Sequence, residues 1–158
     1  NMEKYEEAID CYDKALEIEF NIERITDKGD TLHMMKEYEE AIDCYDKALE
    51  IEPKNYSANA NKGNSLRANK QFDESLEYLD EGIKIDPNNF YSFDNKLMLY
   101  REWGKYDKAL ELNQQLLKTF PKEEESLLGH FVDTYKEIGE QHNIEKYKEK
   151  LRKLRDLK

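Results

Sequence analysis

The stretch YEEAIDCYDKALEIE occupies Tyr5–Glu19 and recurs unchanged at Tyr38–Glu52, followed by Phe20 in the first instance and Pro53 in the second. The second copy sets Ala41, Ile42, Tyr45, Ala48 and Leu49 on one stripe at helical spacing. That pattern predicts an amphipathic helix, and the proline closes it. Neither copy is apolar enough to fold alone, so each needs neighbours on both sides.

A segment repeated this closely calls for a longer period. Pro87 lies 34 residues beyond Pro53, and Pro121 lies 34 beyond Pro87. The units so defined are Ile22–Asn55, Tyr56–Asn89 and Phe90–Glu123, ending EIEPKN, KIDPNN and KTFPKE. A second aromatic marker recurs at Tyr38, Phe72 and Tyr106. In the first unit a helix is predicted over roughly Glu23–Met35, with Ile25, Gly29 and Leu32 on one side and Asp27, Asp30 and Met34 on the other. A break is expected near Lys36–Glu37, followed by a second helix over Tyr38–Glu52.

Composition fits an extended helical array better than one large core. Only 38% of the 158 residues are apolar and 39% are charged. Eleven Tyr, six Phe and one Trp at regular places argue against disorder. The net charge of −11 disfavours nucleic acid as a partner. No run of about 18 apolar residues is available for a membrane span, and NMEKYEEA lacks the features of a signal peptide. Cys11 and Cys44 lie 33 residues apart, in no redox or zinc spacing. A reduced, cytoplasmic protein is expected.

The 34-residue helix–turn–helix period resembles the tetratricopeptide repeat, whose pattern is W-x2-L-G-x2-Y…A-x3-F…P. It stands here as Ile25-x2-Lys28-Gly29-x2-Leu32…Ala41-x3-Tyr45…Pro53, then Asn59-x2-Lys62-Gly63-x2-Leu66…Ser75-x3-Leu79…Pro87. The third unit reads Phe93-x2-Lys96-Leu97-x2-Tyr100…Ala109-x3-Asn113…Pro121. The resemblance implies an all-α, right-handed superhelical solenoid of antiparallel helix pairs, about nine helices in one continuous domain. Residues 1–21 would be the second helix of a truncated repeat. Repeats 22–55, 56–89 and 90–123 would follow, and 124–158 would form a divergent cap. Helices are expected there over Glu124–Ile138 and Ile144–Leu157, separated at Gly139.

Three departures carry expectations. Lys28, Lys62 and Lys96 fill a column where the family usually has Leu. Their stems can cover the seam between helices while the ammonium groups reach water, or they can form a cationic ladder. Leu97 in the glycine column predicts different packing in the third unit. The last helix is basic, with seven Lys or Arg against two acids over Lys146–Lys158. It is either a docking site for an acidic partner or a favourable placement of cations near a helix C-terminus.

Chemistry is sparse. His33, His130 and His142 are scattered, and no phosphate-binding glycine loop occurs. No enzyme activity, metal or cofactor is expected. In a stacked array the first helices line a concave groove, and their outward columns are informative. They read Asp27, Asn61, Asn95; Asp30, Asn64, Met98; and His33, Arg67, Arg101, with Tyr91 in the column of Glu23 and Ser57. These ten residues from Asp27 to Arg101, with Tyr91 counted and Glu23 and Ser57 left out, are the candidate peptide site. Asn61, Asn64 and Asn95 can offer donor and acceptor to an extended peptide, or they can brace neighbouring helices.

Some tetratricopeptide domains clamp acidic chaperone tails. The matching positions here read Thr26, Asp30, Asn61, Tyr91 and Asn95, of which only Asn61 agrees. The expected function is a non-catalytic interaction scaffold for a neutral or basic protein segment, with no nucleic-acid or membrane partner. The alternatives are end-to-end self-assembly through the terminal helices, giving a homo-oligomer, and a regulatory arm of a larger protein.

Overall fold

The computed structural model describes residues 2–18 and 21–156. Phe20, expected at an irregular junction, lies outside them, as do Glu19 and Leu157. Nine α-helices and no strand are found among the described residues. They are α1 (Met2–Ile18), α2 (Ile22–Met35), α3 (Tyr38–Ile51), α4 (Tyr56–Ala68), α5 (Phe72–Ile85), α6 (Phe90–Glu102), α7 (Tyr106–Thr119), α8 (Glu124–Ile138) and α9 (Gln141–Asp156). The last helix begins three residues before the Ile144 start that its apolar stripe suggested. A 3-10 turn, Pro121–Glu123, precedes α8.

The helix ends obey the same 34-residue period as the apolar pattern. Asn21 and Asn55 cap α2 and α4, their side chains accepting from the backbone N–H of Arg24 and Ala58 at 3.2 and 2.9 Å. Asn89 accepts from the Tyr91 N–H at 3.1 Å. Between the two helices of each repeat the chain turns through one left-handed residue: Lys36 (φ 69°), Lys70 (φ 65°) and Gly104 (φ 73°). The next N–H then reaches back to the last turn, as from Gln71 to the Leu66 carbonyl at 2.8 Å. Gly139 (φ 84°) makes the equivalent turn between α8 and α9.

Packing follows from two columns. A Cβ on Gly29 would meet the Tyr45 ring at 2.7 Å, and one on Gly63 would meet Leu79 Cγ at 2.7 Å. The missing side chain of the first helix is therefore filled by a large one from the second. In the third repeat Leu97 holds the glycine column and Asn113 the large-residue column, both buried. The bulk has moved from one helix to the other, the change that Leu97 foretold.

The chain divides into two compact units, one ending at Asn95 and one beginning at Lys96, so the division falls within α6. In the first, Ile25, Leu32, Ala41, Tyr45, Ala48 and Ala58 form one core. In the second, Leu128, Phe131, Val132, Ile144 and Tyr147 form another, with Phe131 and Tyr147 stacked at 4.4 Å between centroids.

The duplicated segment gives two different environments to one sequence. In α3, Cys44 and Tyr45 are buried beneath α2; in α1 the corresponding Cys11 is exposed and Tyr12 half-buried. Both thiols are free. Among the described residues no helix covers that face of α1.

The lysine column resolves into specific pairs. Lys28 donates to Asp13 and Lys62 to Asp46, which are the same residue of the two identical segments. The Lys62 side chain is only 7% exposed and its ammonium also lies 3.9 Å from the centre of the Tyr78 ring. Lys62 thus ties α3, α4 and α5 together.

Candidate functional site

The first helices α2 and α4 lie side by side in the first unit, and two pockets open along their shared face. The larger, about 740 Å³, is lined by Glu23, Asp27, Asp30 and Glu52 together with Thr26, Ser57, Asn61, Ile22 and Ile51 among others. Among the described residues no Lys, Arg or His lines it. The smaller, about 190 Å³, lies between Asp30, His33, Met34, Tyr45, Asn61, Asn64 and Tyr91. The two share Asp30 and Asn61. Met34 and Tyr91, 62% and 41% exposed, border the small pocket, and Ile51 borders the large one. Among the described residues of the first unit, the exposed large apolar side chains thus gather at these openings.

A polar network builds the walls. Asp30 Oδ1 accepts from the Tyr45 hydroxyl at 2.6 Å and from Asn61 Nδ2 at 2.7 Å. Burial raises the Asp30 carboxyl above the ordinary range, against the lowering effect of these two donors. Tyr45 is itself pushed far up, first by burial and then by its bond to that carboxylate. Across the pocket Asn64 receives Arg67 Nη2 at 2.7 Å and donates to the Tyr91 hydroxyl at 3.3 Å. His33 Nδ1 lies 2.8 Å from Ser65 Oγ, while Asn64 Nδ2 approaches Nε2 at 3.5 Å. An amide donor at Nε2 assigns the ring proton to Nδ1, which then donates to Ser65. Burial lowers the His33 pKa, Arg67 lowers it further and Asp30 opposes both, so the ring is held neutral.

Tetratricopeptide-repeat family models match residues 1–22, 26–55 and 44–77. The chain belongs to the tetratricopeptide-repeat family. Solved structures agree on the fold, an all-α solenoid. A tetratricopeptide repeat protein from Parabacteroides merdae is 19% identical with TM-score 0.84, over 95% of this chain and 59% of that one. The chain therefore spans less than two thirds of that protein. MamA from Desulfovibrio magneticus, from residue 41 to its end, is 20% identical with TM-score 0.82, covering 98% and 87%. YrrB, described as a TPR protein with an unusual peptide-binding site, is 22% identical with TM-score 0.70, covering 95% and 77%. No curated protein sequence matches.

This tetratricopeptide array brings together seven of the ten residues singled out from the sequence. Asp27, exposed, lines the large pocket. Asp30, His33, Asn61, Asn64, Tyr91 and, behind them, Arg67 form the network around the small one. Asn95 is 4% exposed and donates to the Tyr91 carbonyl of its own helix at 3.0 Å. Met98 and Arg101 belong to the second unit, where Arg101 Nη1 lies 3.3 Å from His130 Nδ1. Tyr45, Ser65, Met34, Ile51 and Glu52 were not singled out. Tyr45, Ile51 and Glu52 come from the duplicated segment, whose pattern reads as packing, although a tyrosine fifteen residues after Asp30 is the signal that could have found one of them. Among the described residues no group is placed to hold a metal ion, and no helix is long and apolar enough to cross a membrane.

Proposed function

We propose that the chain is a non-catalytic scaffold that holds a neutral or basic segment of a partner protein along the face shared by α2 and α4. The reading rests on one observation above the others: an opening of about 740 Å³ bordered, among the described residues, by four carboxylates and no basic residue, with an exposed Ile51 at its edge. Such a surface attracts cations and repels acidic tails. Protein interaction is what tetratricopeptide arrays do as a class, and the peptide-binding site of YrrB is in keeping with it. Asp27, Asn61 and Ser57 would contact the segment, with Tyr91 at one end. Asn95, with its amide turned into its own helix, would act as a brace.

Selection of random displayed peptides on the purified chain tests the proposal. Enriched peptides should shift the amide signals of Asp27, Ser57 and Asn61, and Asp27→Lys should weaken them. Peptides that map to the outer helices, or that ignore Asp27→Lys, overturn it.

A second reading has one observation in its favour. The face of α1 that no described helix covers has the same residues as the face that α3 buries. A second copy of the chain meeting it would give end-to-end assembly. Sedimentation over a hundred-fold concentration range would settle the matter, since a strict monomer removes this reading.

A further inference from the structure

We propose that the small pocket beside α2 receives a single lysine or arginine side chain of the partner segment, with Asp30 as its counter-charge. This rests on the preceding proposal and gives it a specificity determinant.

A space of about 190 Å³ has room for one long side chain. Its mouth is bordered by Met34 and Tyr91, both well exposed. A thioether and a phenol ring are suited to the methylene stem of a basic residue, which buries its carbons while its head seeks polar partners. The polar partner is present. Tyr45 and Asn61 both donate to Asp30 Oδ1, which fixes the carboxylate and leaves Oδ2 for an incoming donor. Asp30 is also on the wall of the large pocket, where Glu23, Asp27 and Glu52 add to the negative field.

The other polar groups have partners of their own. Arg67 is turned to Asn64 Oδ1, and His33 is bonded to Ser65. The neutral ring of His33 adds no positive charge to the cavity. An acidic side chain would face Asp30, and among the described lining groups only the neutral ring of His33 could offer it a counter-charge. A short neutral one would leave the half-buried carboxylate without a counter-ion.

The probes are Nα-acetyl-lysine methylamide and Nα-acetyl-norleucine methylamide, which share a four-carbon stem and differ in the ammonium group. They are titrated into the whole chain carrying ¹³C-methyl methionine and ¹⁵N labels. The lysine probe should shift the Met34 methyl and the Asn61 side-chain amide in a saturable manner. The norleucine probe should bind about ten-fold more weakly or worse, the loss of one charge-assisted contact. Asp30→Asn should reduce lysine binding by at least about the same factor. Met34→Lys changes an exposed side chain, leaves the Asp30 network in place and, read at the Asn61 side-chain amide, should abolish the response at unaltered helix content. Equal response to both probes, no response, or lysine binding that survives Asp30→Asn and Met34→Lys overturns the pocket. If selected peptides still map to the α2/α4 face without preference for Lys or Arg, this proposal falls and the scaffold reading stands. If none map there, the scaffold reading falls with it.

Discussion

Asp13 and Asp46 are the same residue of one duplicated segment, and each accepts a lysine from the next helix, so removing them in turn is a controlled experiment on burial. Lys62 is 7% exposed and Asp46 46%, whereas Lys28 is 20% exposed and Asp13 50%. Asp46→Ala strands a buried ammonium, although the Tyr78 ring at 3.9 Å retains part of its stabilisation. A charged hydrogen bond contributes about 1.5–3 kcal/mol, and the half-exposed carboxylate lets solvent offset some of that. The expected cost of Asp46→Ala is about 1–2 kcal/mol, against about 0–1 kcal/mol for Asp13→Ala. Lys62→Met keeps the stem against Tyr78 and removes the charge to be neutralised. The double variant Asp46→Ala, Lys62→Met should therefore recover much of the loss, with a coupling of about 1 kcal/mol. Repeat arrays open locally, so the measurement is native-state hydrogen exchange of α3 and α4 amides alongside urea unfolding. For Lys62, burial favours the neutral amine, but the bonds to Asp46 and Tyr78 outweigh it and the pKa is raised. Its stabilising effect is thus complete at neutral pH and disappears only as pH rises through the folded value. Equal costs for Asp13→Ala and Asp46→Ala, or a neutral Asp46→Ala, would refute the reasoning.

Glycine substitutions should separate packing from propensity. Gly63→Ala places a Cβ 2.7 Å from Leu79 Cγ and 3.1 Å from its backbone nitrogen, and should lower stability despite the better helix former; Gly129→Ala meets nothing within 4 Å inside α8 and should add about 0.5–1 kcal/mol by urea denaturation. Lys70→Gly relieves a left-handed lysine where the third repeat already has Gly104, and should raise stability by about 1 kcal/mol in the same assay. His33 has its pKa lowered by burial and by Arg67, so the unfolded chain takes up its proton first and stability falls as pH drops below the ordinary histidine value of 6.5. His33→Gln should flatten that part of a thermal-melting pH profile.

The period made the helices legible. The prolines, the aromatic markers and the glycine column placed α2, α3 and α8 within a residue or so, because turn chemistry and apolar spacing are local. The last helix began earlier than its apolar stripe, since Gln141–Asn143 are polar and carry no periodic signal. For the candidate site, the columns were legible and the side-chain directions were not. Asn61, Asn64 and Asn95 stand in related columns, yet one braces Asp30, one joins Arg67 to Tyr91, and one turns back on its own helix. The first two depend on neighbours 31 and 27 residues away, Asp30 for Asn61 and Tyr91 for Asn64, whereas Asn95 bonds a carbonyl four residues back. The exposure of Cys11 against the burial of Cys44 makes the same point: identical residues acquire different roles from what packs on them.

The fold alone does not require a carboxylate at Asp30. Its column continues as Asn64 and Met98, so the repeat does not need a carboxylate there. An asparagine oxygen could accept from Tyr45 and Asn61 as well as Asp30 Oδ1 does, without the cost of burying a charge. The raised pKa expresses that cost. Because the folded chain holds this proton more tightly than the unfolded one, stability declines as pH rises from 3.8 through the raised value, and at neutral pH the ionised group is a net burden. Asp30→Asn should consequently leave thermal stability at pH 7 equal or higher, while the same change removes the counter-charge for a basic side chain. A loss of stability at pH 7 would mean that the carboxylate is needed by the fold itself, and the functional reading of Asp30 would lose its main physical support.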